Sequence, residues 1–530
     1  MRTINPSTLF EDAAERGATL VHLDRPFDIA PDGGVTYGVE QVAELVNDAA
    51  GWLTAAGARP GDRVAIVKGN NWDTDVLAYA AVRIGAVPAK IRNNLAPEVI
   101  QVLLQRLDAT VLVTTAATLE TAGSAGVDLT VSATTTLSID GPAPGAMSLD
   151  SVRGHRPPPP HRRSDDEPLV VCATSGTTGI PKLALHSTTT IIRQLAQFEA
   201  RRWPVIGGRP DDTVANASAF SHGRTFCWTA AVLTMAPRHV VIVAADDPAH
   251  AEPILRAHPP TILEGLPTTF IRWQPMAAKP DNPFSDVRLY ISTYDAIHPP
   301  AVRTFLAASR RPRAMFMHGW GQSETGPLTF RLFTRRALIT RGDRHPTTRN
   351  QGLPTPGKVR LRVVDRKTFR TLPPGQPGVI MARTKARCLG YLGEQQRWDE
   401  KVDGPWFNTG DIGIRTRTGS VVFLDREVDE IPGMSCVELE DVIDDRLGEV
   451  LECVVLGTPG RPPLPIVVTS DGHLDEAAWQ AAVRDLPPLA EPVIVTWDAV
   501  PRTGTGKVRR LALREQLAGV GATYGTGRWT

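Results

Sequence analysis

Four short stretches carry the residue types that chemistry uses. "CATSGTTGIPK", Cys172 to Lys182, sets glycine, serine and threonine behind an apolar run and ends in a lysine. Backbone amides, hydroxyls and one ammonium in a single turn suit a phosphate. The pattern is not the phosphate loop G-x-x-x-x-G-K-[ST], because counting from Gly176 the second glycine would fall at Pro181. Proline has no N–H, so the turn does not simply open a helix onto an anion. A solvated linker is the plain alternative, and the buried strand running straight into the loop argues against it. "HGWGQSETG", His318 to Gly326, places Trp320 and Glu324 around Ser323. That is a flat apolar surface for a base, a hydroxyl for phosphate and a carboxylate for a divalent cation. It is also a near miss for the nucleophile elbow G-x-S-x-G, with Thr325 in the fifth place and no evident Asp and His partners. "WFNTGDIG" holds Asp411 in a glycine-flanked turn, with Asp425-Arg426 following. A carboxylate there suits a ribose diol, although alone it is an ordinary Asp turn. "PRTGTGKVRR" presents Lys507 on a glycine-rich turn, by itself a basic surface turn.

These groups need a scaffold to bring them together. A chain of 530 residues exceeds one core, so at least two domains are expected. With 42% hydrophobic residues, 22% charged and a net charge of +1, no global field recruits nucleic acid or an anionic membrane. The N-terminus lacks an apolar h-region and no stretch approaches a membrane span, so a cytoplasmic protein is expected, with neither nucleic acid nor membrane as partner. The five cysteines are scattered, without CxxC or zinc spacing, and read as reduced structural thiols.

Residues 38–57 and 73–85 read as amphipathic helices around a strand in "GDRVAIVKGN". Further short β-branched runs, "ATVLVTT", "HVVIVAADD" and "VRLYIST", alternate with helical segments. That alternation predicts an α/β protein with largely parallel sheets. "RGHRPPPPHRRSDDEP" reads as an exposed connector. From about residue 352 the pattern turns β-rich, and after "LDRE" helices and strands alternate in a small α+β domain. The expected division is 1–424 and 425–530.

Taken together and in this order, the four segments resemble the motif set of the adenylate-forming superfamily. That superfamily includes acyl- and aryl-CoA synthetases, peptide-synthetase adenylation domains and luciferase-like enzymes. "GYLGEQQRWDEKVDGPWFNTGD" adds a lesser signature, and the likeness covers nearly the whole chain. The resemblance implies a large N-terminal region of two α/β subdomains and a β-barrel, with a small mobile α+β C-terminal domain. It implies ATP as co-substrate and Mg²⁺ as cofactor. Thr174, Ser175, Gly176, Thr177, Thr178, Gly179 and Lys182 then wrap the ATP phosphates. Trp320 takes the place of the aromatic residue that stacks on adenine. Ser323 matches the hydroxyl at phosphate and Glu324 the Mg²⁺ ligand, while Asp411 and Arg426 match the residues at the ribose. Lys507 matches the lysine that bridges the attacking carboxylate and the α-phosphate.

Two regions depart from the family pattern. At the hinge, where members carry Asp or Lys, this chain has Val428, with Glu427 and Asp429 beside it. The following loop, "DREVDEIPGMSCVELED", runs from Arg426 to Glu438 and Glu440 in fewer residues than is usual, with Pro432-Gly433-Met434-Ser435 as a stiffer substitute. In CoA synthetases that loop shapes the thioester-forming site. The expected substrate pocket is also polar. His222 matches a family histidine, Arg224 stands among Phe220, Phe226 and Trp228, and Glu264, Tyr294 and Asp295 add further polar groups. Arg224 either binds a substrate anion or pairs with a structural carboxylate.

These features favour a small aryl or polar acid over a long-chain fatty acid. The leading reading is activation of a carboxylic acid as its acyl adenylate, with transfer to CoA or a carrier thiol. A second is an ATP-dependent diazotase, which activates nitrite, couples it to an aromatic amine and needs no pantetheine tunnel. A third, of another class, is a nucleotide-binding protein that has lost catalysis. The retained Lys182, Glu324, Asp411 and Lys507 speak against that one.

Overall fold

Alternating strands and helices appear where the hydrophobic periods place them. The structure, a computed structural model, describes residues 3–17, 19–174, 179–339, 345–426, 434–457 and 461–518. The chain forms two compact units, one of Met1–Ile262 with Ser323–Gly326 and Lys385–Trp398, the other of Leu263–Gln322, Pro327–Thr384 and Asp399–Thr530.

In the first unit, Arg63–Lys68 pairs in parallel with both Val87–Arg92 and Ala109–Thr114. Leu103, Leu104 and Leu107 of the helix Pro97–Leu107 pack with Ala65, Val67 and Leu112 from these strands in one core cluster. The strand β1 (Pro168–Ala173) joins this sheet in parallel, but its other neighbour, β2 (Leu183–Ser187), is antiparallel to it. β1 and β2 are therefore the two arms of a β-hairpin. Helix α1 (Gly223–Met235) follows, with His222 as its N-cap. A π-helix over Thr188–Ala196 has no counterpart in the sequence reading, because "TTTIIRQLA" is rich in β-branched residues. The stretch 155–164 is irregular apart from a bend, as its prolines require.

In the second unit, Leu289–Ser292 runs parallel to β3 (Met315–Gln322), and helix α2 (Pro299–Ala308) links them. Val359–Val364, Pro377–Thr384, β4 (Trp406–Arg415) and β5 (Val421–Arg426) pair antiparallel in that order, which is the β-rich region expected from residue 352. The smaller C-terminal domain follows. It has α3 (Cys436–Arg446), the helix Glu476–Val483, α4 (Arg510–Ala518) and a three-stranded sheet of Glu452–Leu456, Leu464–Thr469 and Val493–Thr496. All five cysteines are buried free thiols. No helix among the described residues is long and apolar enough to cross a membrane.

Candidate active site

The hairpin connection is pinned at its base. Lys182 N–H donates to Thr174 Oγ1 at 3.0 Å, and Thr174 N–H donates back to the Lys182 carbonyl at 2.9 Å. Gly179 has φ +145, a backbone conformation suited to glycine. Ser175, Gly176, Thr177 and Thr178 lie outside the described residues.

The Lys182 side chain reaches a small buried cluster. Its ammonium lies 3.7 Å from Glu324 Oε1 and 3.5 Å from Tyr391 Oη, and Tyr391 donates to Glu324 at 2.6 Å. Burial and the Glu324 charge together push the Tyr391 phenol far up, so it stays a donor. Next to Glu324, Ser323 is held from two sides: His186 Nε2 donates to its carbonyl at 2.8 Å, and His222 Nε2 meets its hydroxyl at 3.2 Å. His222 Nδ1 accepts from the Arg224 backbone N–H at 3.1 Å. A neutral His222 then carries its proton on Nε2 and donates to Ser323.

Tyr391→Phe is expected to lower stability by about 1.5–3 kcal/mol, because it deletes one charge-assisted hydrogen bond from the Glu324 carboxylate. Thermal unfolding of the variant beside the parent measures the loss.

The residues of this unit expected at a substrate pocket are tied into the structure. Glu199 holds Arg224 by two hydrogen bonds, at 2.5 and 2.7 Å, so the guanidinium has a protein carboxylate as partner. Phe220 and Phe226 are 0% exposed, and Phe226 stacks on Tyr79 with ring centroids 4.3 Å apart. Beneath them lies a charged pair. Lys90 and Asp75 are both 0% exposed and meet at 2.5 Å, and the ammonium also donates to the His222 carbonyl and to Thr225 Oγ1, each at 2.9 Å.

The second unit gathers the remaining candidates other than Glu264 around one pocket, lined by Tyr294, Asp295, Trp320, Asp411, Arg426 and Lys507. Sheet register does much of this, because Asp411 on β4 sits opposite Arg426 on β5. Arg426 Nε meets Asp411 Oδ1 at 3.0 Å. The Trp320 indole N–H and the Gln322 amide each donate to Asp411 Oδ2 at 3.2 Å, so one carboxylate sets the aromatic plane and the guanidinium together. Tyr294 has φ +83, a strained conformation for a bulky residue at a pocket wall. His318 also lines the pocket, and burial lowers its imidazole to about 4, so it is neutral at ordinary pH. Glu264 is fully buried on the strand Ile262–Gly265.

Reading the sequence missed Tyr391, Gln322, His186 and Glu199. Tyr391 stands inside a quoted signature and Gln322 inside a quoted motif, so their positions were visible. Their partners are 67 to 89 residues away along the chain. Glu199 and His186 carried no local signal.

The AMP-binding enzyme family matches residues 10–392. The chain belongs to that family. As a member of the AMP-binding enzymes it is an ATP-dependent, AMP-forming ligase with ATP as substrate, and its fold is the mixed α/β fold of adenylate-forming enzymes. It is 37% identical to a 3-amino-2-hydroxy-4-methoxybenzoate diazotase of Streptomyces cremeus, over 97% of this chain and 96% of that one. A 3-aminoavenalumate diazotase of a Streptomyces species is 24% identical, over 92% and 91%. Among solved structures, an anthranilate CoA ligase in complex with anthranoyl-AMP superposes with a TM-score of 0.79 at 21% identity, covering 97% of each chain.

Proposed function

We propose that this chain is an ATP-dependent diazotase that activates nitrite and couples it to a carboxylated aromatic amine. One observation carries the reading: the 37% identity to a diazotase extends over nearly the full length of both chains. The short run from Arg426 to Glu438 supports it, since a reaction without a thiol needs no pantetheine tunnel. This puts nitrite ahead of carboxylate activation, the order opposite to the one motif content alone suggests.

A nitrite oxygen attacks the α-phosphorus of ATP, pyrophosphate leaves, and nitrosyl adenylate forms. The amine nitrogen then attacks the nitroso nitrogen, the N–O bond to AMP breaks, and the amine gives up a proton. The resulting nitrosamine tautomerises to the diazohydroxide, whose hydroxyl takes up one proton, as many as the amine gave up, and leaves as water to give the diazonium ion. Charge builds at phosphorus in the first step, so positioning and electrostatics do most of the work.

In this reading Lys507 bridges nitrite and the α-phosphate. Thr174 to Gly179 and Lys182 hold the phosphates, and the Ser323 hydroxyl, oriented by His222, contacts them. Trp320 takes the adenine, and Asp411 with Arg426 takes the ribose. Arg224, Phe220, Phe226 and Glu264 stand as the proposed surroundings of the amine, with Tyr294 and Asp295, and Glu199 orients Arg224.

Magnesium fits Glu324. Among the described residues no group of three or more His, Cys, Asp or Glu side chains could cage a metal by itself. One carboxylate plus substrate phosphates is how Mg²⁺ is usually bound. When bound, it neutralises phosphate charge; Glu324, with Lys182 and Tyr391 on it, is the residue that would hold it.

The test is AMP and pyrophosphate release from ATP and Mg²⁺, with nitrite and aminobenzoates in one arm and aryl carboxylates with CoA in the other. Nitrite-dependent release is expected. Release that depends on a carboxylate and yields an acyl-CoA, with no response to nitrite, would contradict the proposal.

A further inference from the structure

The C-terminal domain has its own apolar cores. Every member of its two clusters, from Met434 to Leu517, lies inside that domain. Charges and hydrogen bonds along one face of α3 fasten it to the rest of its unit. Asp441, fully buried, accepts from His298 Nδ1 at 2.8 Å and from the Thr348 backbone N–H at 2.9 Å. Asp444 Oδ2 lies 3.9 Å from the same imidazole nitrogen. Asp445 pairs with Arg303 of α2 and with His345 at 2.8 Å, and Glu438 pairs with Arg349 at 2.5 Å. Positions 438, 441 and 445 recur at three- and four-residue spacing, so α3 turns a single charged stripe toward its partners.

The same helix leads to the pocket. Glu440 holds Arg510 at 2.7 Å, and Arg510 lines the pocket beside Lys507. The turn carrying Lys507 is seated closely: Gly506 has φ +78, and a Cβ there would stand 2.2 Å from Thr268 Oγ1. A shift of α3 would move Arg510 and disturb this seat.

We infer that His298, through its pair with Asp441, is a positioning residue for AMP formation. It fixes α3, and through α3 the turn that holds Lys507 at the pocket. The inference rests on the proposed function only for the role of Lys507. A buried ion pair adds little net stability but sets geometry well, because its loss leaves a charge without compensation.

The arrangement also makes docking depend on pH. Burial alone would lower His298, but Asp444, Asp441 and Glu440 outweigh it and push the imidazole up to about 10. Burial in turn raises the Asp444 and Glu440 carboxyls, so the hydrogen-bonded Asp441 is the partner that fixes the direction. The other charges around it are already paired. Arg502 holds Glu452, which faces Asp444, and Arg446 donates to His345 at 3.1 Å. Undocked, the imidazole returns to its ordinary value near 6.5. Because docking raises this pKa, its contribution is complete below about 6.5 and is lost as pH climbs toward 10.

The test places spin labels at Ala278→Cys and Ala477→Cys, both exposed, in a chain whose native cysteines are all buried. Pulsed EPR should give one narrow distance at pH 6.5. At pH 9 a displaced population should grow by about tenfold or more. His298→Gln should show the displaced population at both pH values and lower kcat about tenfold with KM for ATP nearly unchanged. His298→Lys, which keeps a charge at both pH values, should restore the narrow distance and remove the pH response. If the glutamine variant fails to fold, Asp441→Asn takes its place with the same expectations. A narrow, pH-independent distance with native kcat in the neutral variant would overturn the inference. The distance needs no substrate, so its failure is distinguishable from failure of the diazotase reading.

Discussion

Lys507→Ala should cut AMP formation by about a hundredfold or more while leaving the unfolding transition in place. Lys507 sits on a turn closed by its backbone: its N–H donates to Thr503 Oγ1 at 3.2 Å, and its carbonyl accepts from the Thr503 N–H at 2.7 Å. Removing the ammonium therefore takes a charge from the pocket shared with Trp320, Asp411 and Arg426 without dismantling the turn. In the proposed chemistry charge develops at the α-phosphorus, so the loss should fall mainly on kcat rather than on KM for ATP. Single-turnover pyrophosphate release measures it. Native rates from this variant would remove Lys507 from the mechanism.

The second large effect is on stability. Asp75→Leu alone is expected to cost about 3–5 kcal/mol, because Lys90 would be left as a buried charge without a carboxylate. The pair is fully enclosed: Lys90 meets Asp75 at 2.5 Å, and Thr229 donates to the other carboxylate oxygen at 3.2 Å. Burial nevertheless pushes the Asp75 carboxyl up, against the pull of Lys90, which marks how expensive the site is. The double change Asp75→Leu with Lys90→Met should recover most of the stability, since it removes both charges. It should not recover full activity. Lys90 also donates to the His222 carbonyl, and that contact holds the segment carrying His222 and Arg224. Urea unfolding of the two single variants and the double variant closes the cycle. A single variant as stable as the parent would contradict the account.

Most of the candidate groups could be named from four short segments because each packs them within about ten residues. Lys182, Trp320, Glu324, Asp411 and Lys507 could be named from type and spacing. The hairpin of β1 and β2 could be half read, since Pro181 has no N–H with which to open a helix onto an anion, although the antiparallel return of β2 could not. Arg224 shows the limit more sharply. Its neighbours along the chain are aromatic, and the carboxylate that binds it, Glu199, lies 25 residues upstream, just after a π-helix that no periodicity signals. Asp411 is similar: nothing local in its turn signals that Trp320, Gln322 and Arg426 converge on it across the sheet. The charged face of α3 lies within "VELEDVIDD", but nothing local marks what it binds, because its partners His298, His345 and Arg349 come from distant loops and helix ends.

The central claim is that the adenylated oxyanion is nitrite. The most direct measurement supplies nitrogen-15 nitrite, ATP, Mg²⁺ and a panel of aminobenzoates, and reads the products by mass. The account predicts one AMP released per diazo product, with the label in the terminal nitrogen of that product. AMP formed at the same rate without nitrite, with the carboxyl group of the aromatic acid carried into a thioester or acyl adenylate, would contradict it.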